Sequence, residues 1–376
     1  MTKILLTGGG SGGHVYPLLA VSDMLKIIGG DIVDISYMGP VSPLNDEFLK
    51  REIPIKKIWG SKVRRYASFQ NVLDVPKFIL SIFQAIVKMY FIMPDVVFSK
   101  GGTGALPVIL AARFYFIPII IHESDSIPGL TNRISGRFAK RIGISFPEAV
   151  DYFDGTKVAL VGNPVRPELF QNPIDKKDAK EQLGFSRDVP LIFVVGGSLG
   201  AVRVNEFIIS SLKDILETYQ VLHQVGLLNI SDATESAKLV LKELSPEVQA
   251  RYKLEGFLEI EKQKLAFAAA DIVISRAGSG GIFETAAFGK PAILIPLDGS
   301  ANDHQKSNAY EYAKCGAGVV LEEENMTVHL LVMKLKDILE NPELYKKMST
   351  SAYGFAKPKA AEILAREILH LAGSSS

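Results

Sequence analysis

The chain has 376 residues, too many for one compact nucleotide-binding unit and comfortable for two domains of ordinary size. Hydrophobic residues make up 47% and charged residues 22%, ample material for two buried cores. Lys+Arg 42 against Asp+Glu 41 leaves a net charge of +1, which argues against nucleic acid as a partner, and the lone cysteine, Cys315, excludes a disulfide framework and a cysteine-rich metal site.

Lys3–Thr7 is a short apolar run entering glycines, which reads as a strand and not as a signal-peptide core. Val15–Ile28 has helical spacing, and Ile32–Met38 is again a strand. Pro76 to Pro94 carries Phe78, Ile79, Ile82, Phe83, Ile86, Val87, Tyr90 and Phe91 at helical spacing, with Lys77, Ser81, Gln84 and Lys88 on the other side and Lys62-Val63-Arg64-Arg65 upstream. Two readings stand for it. It is an interfacial amphipathic helix suited to an anionic membrane surface, or a helix packed on the first sheet. No uninterrupted apolar run reaches the roughly 20 residues that span a bilayer, so a cytoplasmic protein is expected.

Asp95–Ser99, Ile117–His122 and Arg141–Ser145 continue the strand series. Asp151 to Pro190 reads as a connection between domains and the lead-in to a second sheet. The pattern then restarts: Leu191 to Ile209 repeats the strand, glycine loop and helix plan of Lys3 to Val21. Strands at Pro190–Val195, Val221–Val225, Asp271–Ser275 and Pro291–Pro296 follow, and Ala360–Leu371 is a last amphipathic helix before a Gly-Ser tail. Alternating strands and helices imply an α/β fold of two Rossmann-like parallel-sheet domains facing a cleft, with ligands at the carboxyl ends of the strands.

Four loops place small residues between a strand and a helix: Gly8–Gly13, Gly101–Gly104, Gly196–Ala201 and Gly278–Gly281. Glycine lets the backbone approach a phosphate, and the helix start behind it offers free N–H groups. Gly8-x-Gly10-x-x-Gly13 matches a dinucleotide fingerprint, but the second strand ends Tyr37-Met38-Gly39 without the acid that would hold a ribose, which counts against an NAD-dependent oxidoreductase. No loop continues into the Gly-Lys-Ser/Thr of a Walker motif, and there is no HExxH and no D-x-D. No metal site and no cofactor are therefore expected.

Read in order, Gly9-Gly10-Ser11-Gly12-Gly13-His14, His122-Glu123-Ser124-Asp125 with Gly129-Leu130-Thr131-Asn132, Gly162-Asn163-Pro164-Val165-Arg166, Gly196-Gly197-Ser198-x-Gly200-Ala201, Ser275-Arg276-x-Gly278 with Glu284, and His304-Gln305 with Asn308-Ala309 resemble the MurG family within glycosyltransferase family 28. The likeness covers nearly the whole chain. It implies a GT-B fold and inverting, metal-independent transfer of N-acetylglucosamine from UDP-N-acetylglucosamine to lipid I, at the cytoplasmic face of the cell membrane. It also implies an acceptor domain at 1–163, a UDP-sugar domain at 164–354, and a helix at about 355–372 that returns to the first. Carried over by position, Ser198 binds the diphosphate, Arg166 is a donor-site arginine, and a backbone contact at Leu258 reads uracil. Ser279, Gly280, Gly281 and Ile282 lie near the phosphates, Phe283 belongs to the same substrate-binding stretch, Glu284 takes the ribose hydroxyls, and Gln305 contacts the sugar. Ser11, Gly12, Gly13 and His14 face the acceptor, with Glu123 and Asn132 alongside. The chain departs from the family where Asp125 replaces an asparagine that contacts the donor sugar, and where Thr103 replaces a tyrosine.

An inverting displacement needs a base for the acceptor hydroxyl and stabilisation of the leaving diphosphate. His14 and Glu123 are the candidates for the base; a helix-start role for His14 and a loop-organising role for Glu123 are the structural alternatives. Two other functions fit less of the pattern: a UDP-N-acetylglucosamine 2-epimerase or a different lipid glycosyltransferase, and a non-enzymatic nucleotide-sugar or lipid-carrier binder.

Overall fold

Runs such as Ile4–Leu6, Val96–Phe98 and Ile272–Ile274 are apolar at consecutive positions and fully buried, as strands covered on both faces of a parallel sheet must be. A computed structural model describes residues 1–60, 69–102, 104–196, 201–300 and 303–373. The chain divides into two compact units, Met1–Arg166 with Lys357–Ser376, and Pro167–Ala356.

The first unit runs β1 (Thr2–Thr7), α1 (Gly12–Gly29), β2 (Val33–Gly39), α2 (Asn45–Leu49), β3 (Ile55–Lys57), α3 (Phe69–Ile92), β4 (Val96–Ser99), α4 (Ala105–Phe114), β5 (Ile119–Glu123), α5 (Leu130–Ser135), β6 (Arg141–Ile144) and β7 (Val158–Leu160). Its seven strands pair in the order β3-β2-β1-β4-β5-β6-β7, all parallel. The order reverses between β1 and β4, which brings the Gly8 and Gly101 loops side by side, where open α/β sheets bind ligands. One face of the sheet packs Leu18, Leu19 and Leu25 of α1 with Leu364 and Ile368 of the last helix. The other packs Val108 and Ile109 of α4 with Ala85 and Met89 of α3.

The second unit runs α6 (Lys176–Gln182), β8 (Leu191–Val195), α7 (Val202–Ser210), α8 (Leu212–Leu216), β9 (Gln220–Gln224), α9 (Ile230–Leu241), α10 (Pro246–Gln249), β10 (Tyr252–Glu255), α11 (Ile260–Ala269), β11 (Ile272–Ser275), α12 (Ser279–Ala287), β12 (Ala292–Leu294), α13 (His304–Lys314), β13 (Gly318–Val320), α14 (Val328–Leu339) and α15 (Pro342–Phe355). The six parallel strands are ordered β10-β9-β8-β11-β12-β13, so the switch falls between β8 and β11. The chain then returns to the first unit as α16 (Ala360–Gly373), which packs along α1.

Two expectations need correction. The stretch from Asp151 to Pro190 is not a plain connection: it contains β7, the edge of the first sheet, and its charged run forms α6. Asp175 caps that helix by accepting from Lys177 N, and Lys180 is buried against Asp271 at 2.7 Å. Secondly, α3 is longer and more apolar than the sequence pattern suggested. Val75–Ile92 has the length and composition to cross a membrane, yet only 17% of it is buried. Its covered stripe is Ser81, Ala85 and Met89, while Ile79, Leu80, Phe83, Val87, Tyr90 and Phe91 are exposed. Ser81, expected on the polar side, is buried because its Oγ donates to the helix carbonyl of Lys77 or to that of Trp59, at 2.7 and 2.8 Å.

Candidate active site

The β1 and β4 loops touch through backbone. Gly9 N donates to Gly101 O at 2.8 Å, and Lys100 N donates to Thr7 O at 2.9 Å. Gly102, at φ +84°, allows no side chain: a Cβ there would lie 2.8 Å from Gly9 Cα and from His14 Nε2. Ser11 precedes α1 in extended conformation, and its Oγ lies 2.8 Å from His14 Nδ1. Gly12 begins the helix, and Gly13 faces open space into which a ligand can approach the backbone. His14 is half-buried, and burial first, then the Lys100 charge, lowers its pKa to about 4, with Asp125 opposing.

Glu123 ends β5 and is buried. One carboxylate oxygen accepts from Asp125 N at 2.9 Å; the other accepts from Gly129 N at 3.3 Å and Asn132 Nδ2 at 2.9 Å. Burial and the Asp125 charge raise its pKa to about 7 against those bonds. Asn132 also donates to His122 O at 3.0 Å, which fixes α5 to the end of β5. Arg166 closes the first unit with its guanidinium 4.7 Å from the Tyr16 ring centroid. Ser11, Gly12, Gly13, His14, Glu123, Asp125, Asn132 and Arg166 thus all belong to the first unit.

In the second unit, α12 starts at Ser279 with no side-chain cap, so its first-turn N–H groups are offered outward. Space above Gly280 is open, and Ser279 Oγ is buried without a hydrogen-bond partner among the described residues. Ile282 and Phe283 are core residues, Phe283 packing on Phe355 at 4.9 Å, so they can offer a ligand backbone only. Glu284 is half-buried with Oε2 3.4 Å from Gln263 Nε2. Leu258 is likewise a core side chain, and Gln305 accepts from Leu297 N at 3.1 Å. Ser198, Thr103 and the basic run Lys62–Arg65 lie outside the described residues. Among the described residues no group of three or more His, Cys, Asp or Glu side chains is placed to hold a metal ion.

Two buried charges carry no role in the sequence reading. Lys100 follows β4 and is 2% exposed. Glu323, also buried, pairs with Arg276 before α12 and with Arg203 on α7, which ties the start of α7 to the segment between β11 and α12. The signal for Lys100 was a lysine closing a four-residue apolar strand just before two glycines. For Glu323 an acidic run, Glu322-Glu323-Glu324, hid the one buried member.

Two parallel sheets, each reversing its strand order near its centre, with buried acid–base groups at the strand ends of the first, define a two-domain α/β enzyme of the doubly wound class. Glycosyltransferase family 28 N-terminal domain matches residues 4–144, and glycosyltransferase family 28 C-terminal domain matches residues 191–364. The chain is 39% identical over 367 residues to the UDP-N-acetylglucosamine–N-acetylmuramyl-(pentapeptide) pyrophosphoryl-undecaprenol N-acetylglucosamine transferase of Clostridium kluyveri, covering 97% of this chain and 99% of that one. The chain belongs to glycosyltransferase family 28 and, within it, to the MurG group. A Bacillus anthracis transferase of the same name, numbered 2, is 37% identical, with 92% of this chain and 94% of that one covered. The crystal structure of Acinetobacter baumannii MurG superposes with a TM-score of 0.75 at 28% identity, over 98% of this chain and 100% of that one. A UDP-GlcNAc 2-epimerase from Neisseria meningitidis, at 15% identity and TM-score 0.68 over 98% of this chain and 100% of that one, shares the fold alone.

Proposed function

We propose that this protein transfers N-acetylglucosamine from UDP-N-acetylglucosamine to lipid I, undecaprenyl-pyrophosphoryl-MurNAc-pentapeptide, with inversion, to form lipid II. The observation that carries the reading is identity of 39% along the whole length of a transferase named for that reaction. The epimerase alternative has only a shared fold behind it.

The donor's diphosphate would sit at the start of α12, where Ser279, Gly280 and Gly281 offer N–H groups and the helix dipole is positive. Arg166 and the loop holding Ser198 would add donors. Glu284 would accept from the ribose hydroxyls, the Leu258 backbone would meet uracil, and Gln305 and Asp125 the sugar. The acceptor would approach Ser11, Gly12, Gly13 and His14. Its hydroxyl oxygen attacks the anomeric carbon, the bond from that carbon to the UDP oxygen breaks, and the hydroxyl proton passes to His14, or to Glu123. Asn132 and the backbone amides around Glu123 hold that carboxylate in place. The growing charge on UDP is met by N–H and guanidinium donors, so no metal is needed.

The lipid acceptor calls for a surface-bound enzyme, and α3 supports this. Its exposed Phe83, Tyr90 and Phe91 form an apolar ridge, with Phe114 and Phe116 at the end of α4, the helix that α3 packs against. Arg133 and Arg137 line a cavity of about 240 Å³ with Tyr152, Asp154 and Lys157, the last two paired at 3.7 Å, and α5, which carries Arg133, also packs on α4. An apolar ridge on α3 and the arginines of that cavity suit peripheral attachment to an anionic membrane at its cytoplasmic side.

UDP release with and without a lipid-I analogue tests the reading. Release should require the analogue and survive EDTA. Conversion of UDP-N-acetylglucosamine to its 2-epimer without acceptor would favour the epimerase, and an EDTA block relieved by Mg²⁺ would end the metal-free account.

A further inference from the structure

We propose that Lys100 is a positioning residue of the transfer site: its buried ammonium ties the carboxyl ends of three strands together and supplies the positive charge against which His14 and Glu123 are set as proton acceptors. The proposal rests on the transferase reading above.

A lysine is rarely buried unless its three N–H groups find partners. Here they do. Nζ lies 2.6 Å from His122 Nδ1 and 3.2 Å from Asn163 Oδ1, and it also bonds Ser124 Oγ. Its own backbone N–H is held by Thr7 O at the end of β1. The side chain therefore joins the loop after β4 to the end of β5 and to the Gly162–Asn163 turn beyond β7.

The contact also settles a tautomer. An ammonium has no lone pair, so His122 Nδ1 must accept, and the ring proton sits on Nε2, where it donates to Gly162 O at 2.8 Å. Burial and the Lys100 charge lower the His122 pKa well below its usual value, so this neutral form persists. From His122 the order passes on. Its carbonyl receives Asn132 Nδ2, and the same amide group holds Glu123 Oε2. Lys100 thus reaches the Glu123 loop through His122 without itself bonding Glu123 in that chain of contacts.

The charge matters as well as the bonds. The titratable groups facing the ammonium are His14 at the start of α1, and His122, Glu123 and Asp125 at and after β5; the turn beyond β7 presents the neutral amide of Asn163. Burial lowers Lys100 to about 8, with Glu123 and Asp125 opposing, so it stays mainly charged at neutral pH. Its charge favours the deprotonated forms of both His14 and Glu123. Whichever of the two takes the acceptor's proton, removing the charge makes it cling to a proton up to a higher pH.

The experiment measures transfer to a lipid-I analogue by the full chain across pH in wild type, Lys100→Met and Lys100→Arg. Lys100→Met should lower kcat at pH 7 by roughly tenfold to a hundredfold, the scale of a misplaced site, and leave the affinity for UDP itself within about twofold, because α12, which would hold its diphosphate and ribose, belongs to the other unit. The acid limb of its kcat profile should move to higher pH, and Lys100→Arg should keep the limb where wild type has it. A lower kcat with an unmoved limb would make Lys100 merely structural and overturn the proposal, as would a kcat close to wild type. If Lys100→Met does not fold, Lys100→Gln, neutral but still a donor, carries the same test. If neither folds, Lys100 serves folding and the proposal falls. Wild type without transfer would instead sink the functional reading, and the proposal with it.

Discussion

Ser11 Oγ and His14 Nδ1 stand 2.8 Å apart at the start of α1. When Nδ1 carries the ring proton and donates to Ser11, Nε2 keeps its lone pair, beside the Gly102 backbone. The ring is neutral at pH 7 because burial and Lys100 lower its pKa to about 4. Glu123, by contrast, spends both oxygens on three N–H groups of its own loop.

The first prediction follows. With His14 as the base, kcat stays level from about pH 8 to about pH 5 and falls below that. Glu123, raised to about 7, would put the limb near neutrality. A pH–rate profile separates them. His14→Ala should lose on the order of 10²–10⁴ in kcat, and His14→Gln, which cannot take a proton, nearly as much. A Gln variant with near-normal turnover would reduce His14 to a positioning group.

A second prediction concerns stability. His223 in β9 is fully buried, with Tyr252 Oη 3.1 Å from Nδ1 and Asn205 Oδ1 3.2 Å from Nε2, and burial lowers its pKa to about 3. In the unfolded chain the ring titrates near 6.5, so the unfolded state takes the proton first. The neutral ring's contribution is fully present above about pH 6.5 and is lost as pH falls toward about 3, at about 1.4 kcal/mol per pH unit. Hydrogen exchange of the β9 amides in the full chain should show that slope, and His223→Gln should remove it.

The four strands that the sequence pattern did not reveal are β3, β7, β10 and β13, the edges of the two sheets. Interior strands announce themselves because both faces are covered and every position can be apolar, as in Ile119–Ile121. Edge strands such as Ile55-Lys56-Lys57 and Tyr252-Lys253-Leu254-Glu255 are three or four residues long and half solvated, so no apolar run marks them. The site was legible for a related reason. Gly102 and Ser11 stand where backbone must approach backbone or start a helix, and such constraints select residue types that show in the sequence. Lys100 was not legible, because its role depends on His122, Ser124 and Asn163, up to 63 positions away, meeting at one sheet edge.

A third prediction addresses the surface of α3. Burying a phenylalanine side chain contributes about 1.5–3 kcal/mol. Phe83→Ser with Phe91→Ser, two of its most exposed apolar positions, should therefore weaken binding to vesicles containing anionic lipid by at least about tenfold in a cosedimentation assay. UDP release with a water-soluble acceptor analogue should not change. Equal vesicle binding by the double variant would remove α3 from the membrane surface.

The last prediction tests the donor side. Glu284 lies on α12 a turn and a half beyond the uncapped start at Ser279, half-buried, with Gln263 Nε2 steadying one carboxylate oxygen at 3.4 Å. A carboxylate here can accept from two ribose hydroxyls while the N–H groups of the first turn hold the phosphates, so one helix would read both ends of a nucleoside diphosphate. Hydrogen bonds to a charged group contribute about 1.5–3 kcal/mol, so Glu284→Ala should weaken UDP binding by about tenfold or more in a calorimetric titration. The helix position is not a core one, so the melting temperature should hardly move. The discriminating ligand is 2′-deoxy-UDP. Wild type should prefer UDP to it, and Glu284→Ala should lose most of that preference, because the lost partner is the ribose hydroxyl and not the phosphate. An alanine variant that binds UDP as tightly as wild type, with the preference intact, would move ribose recognition away from Glu284.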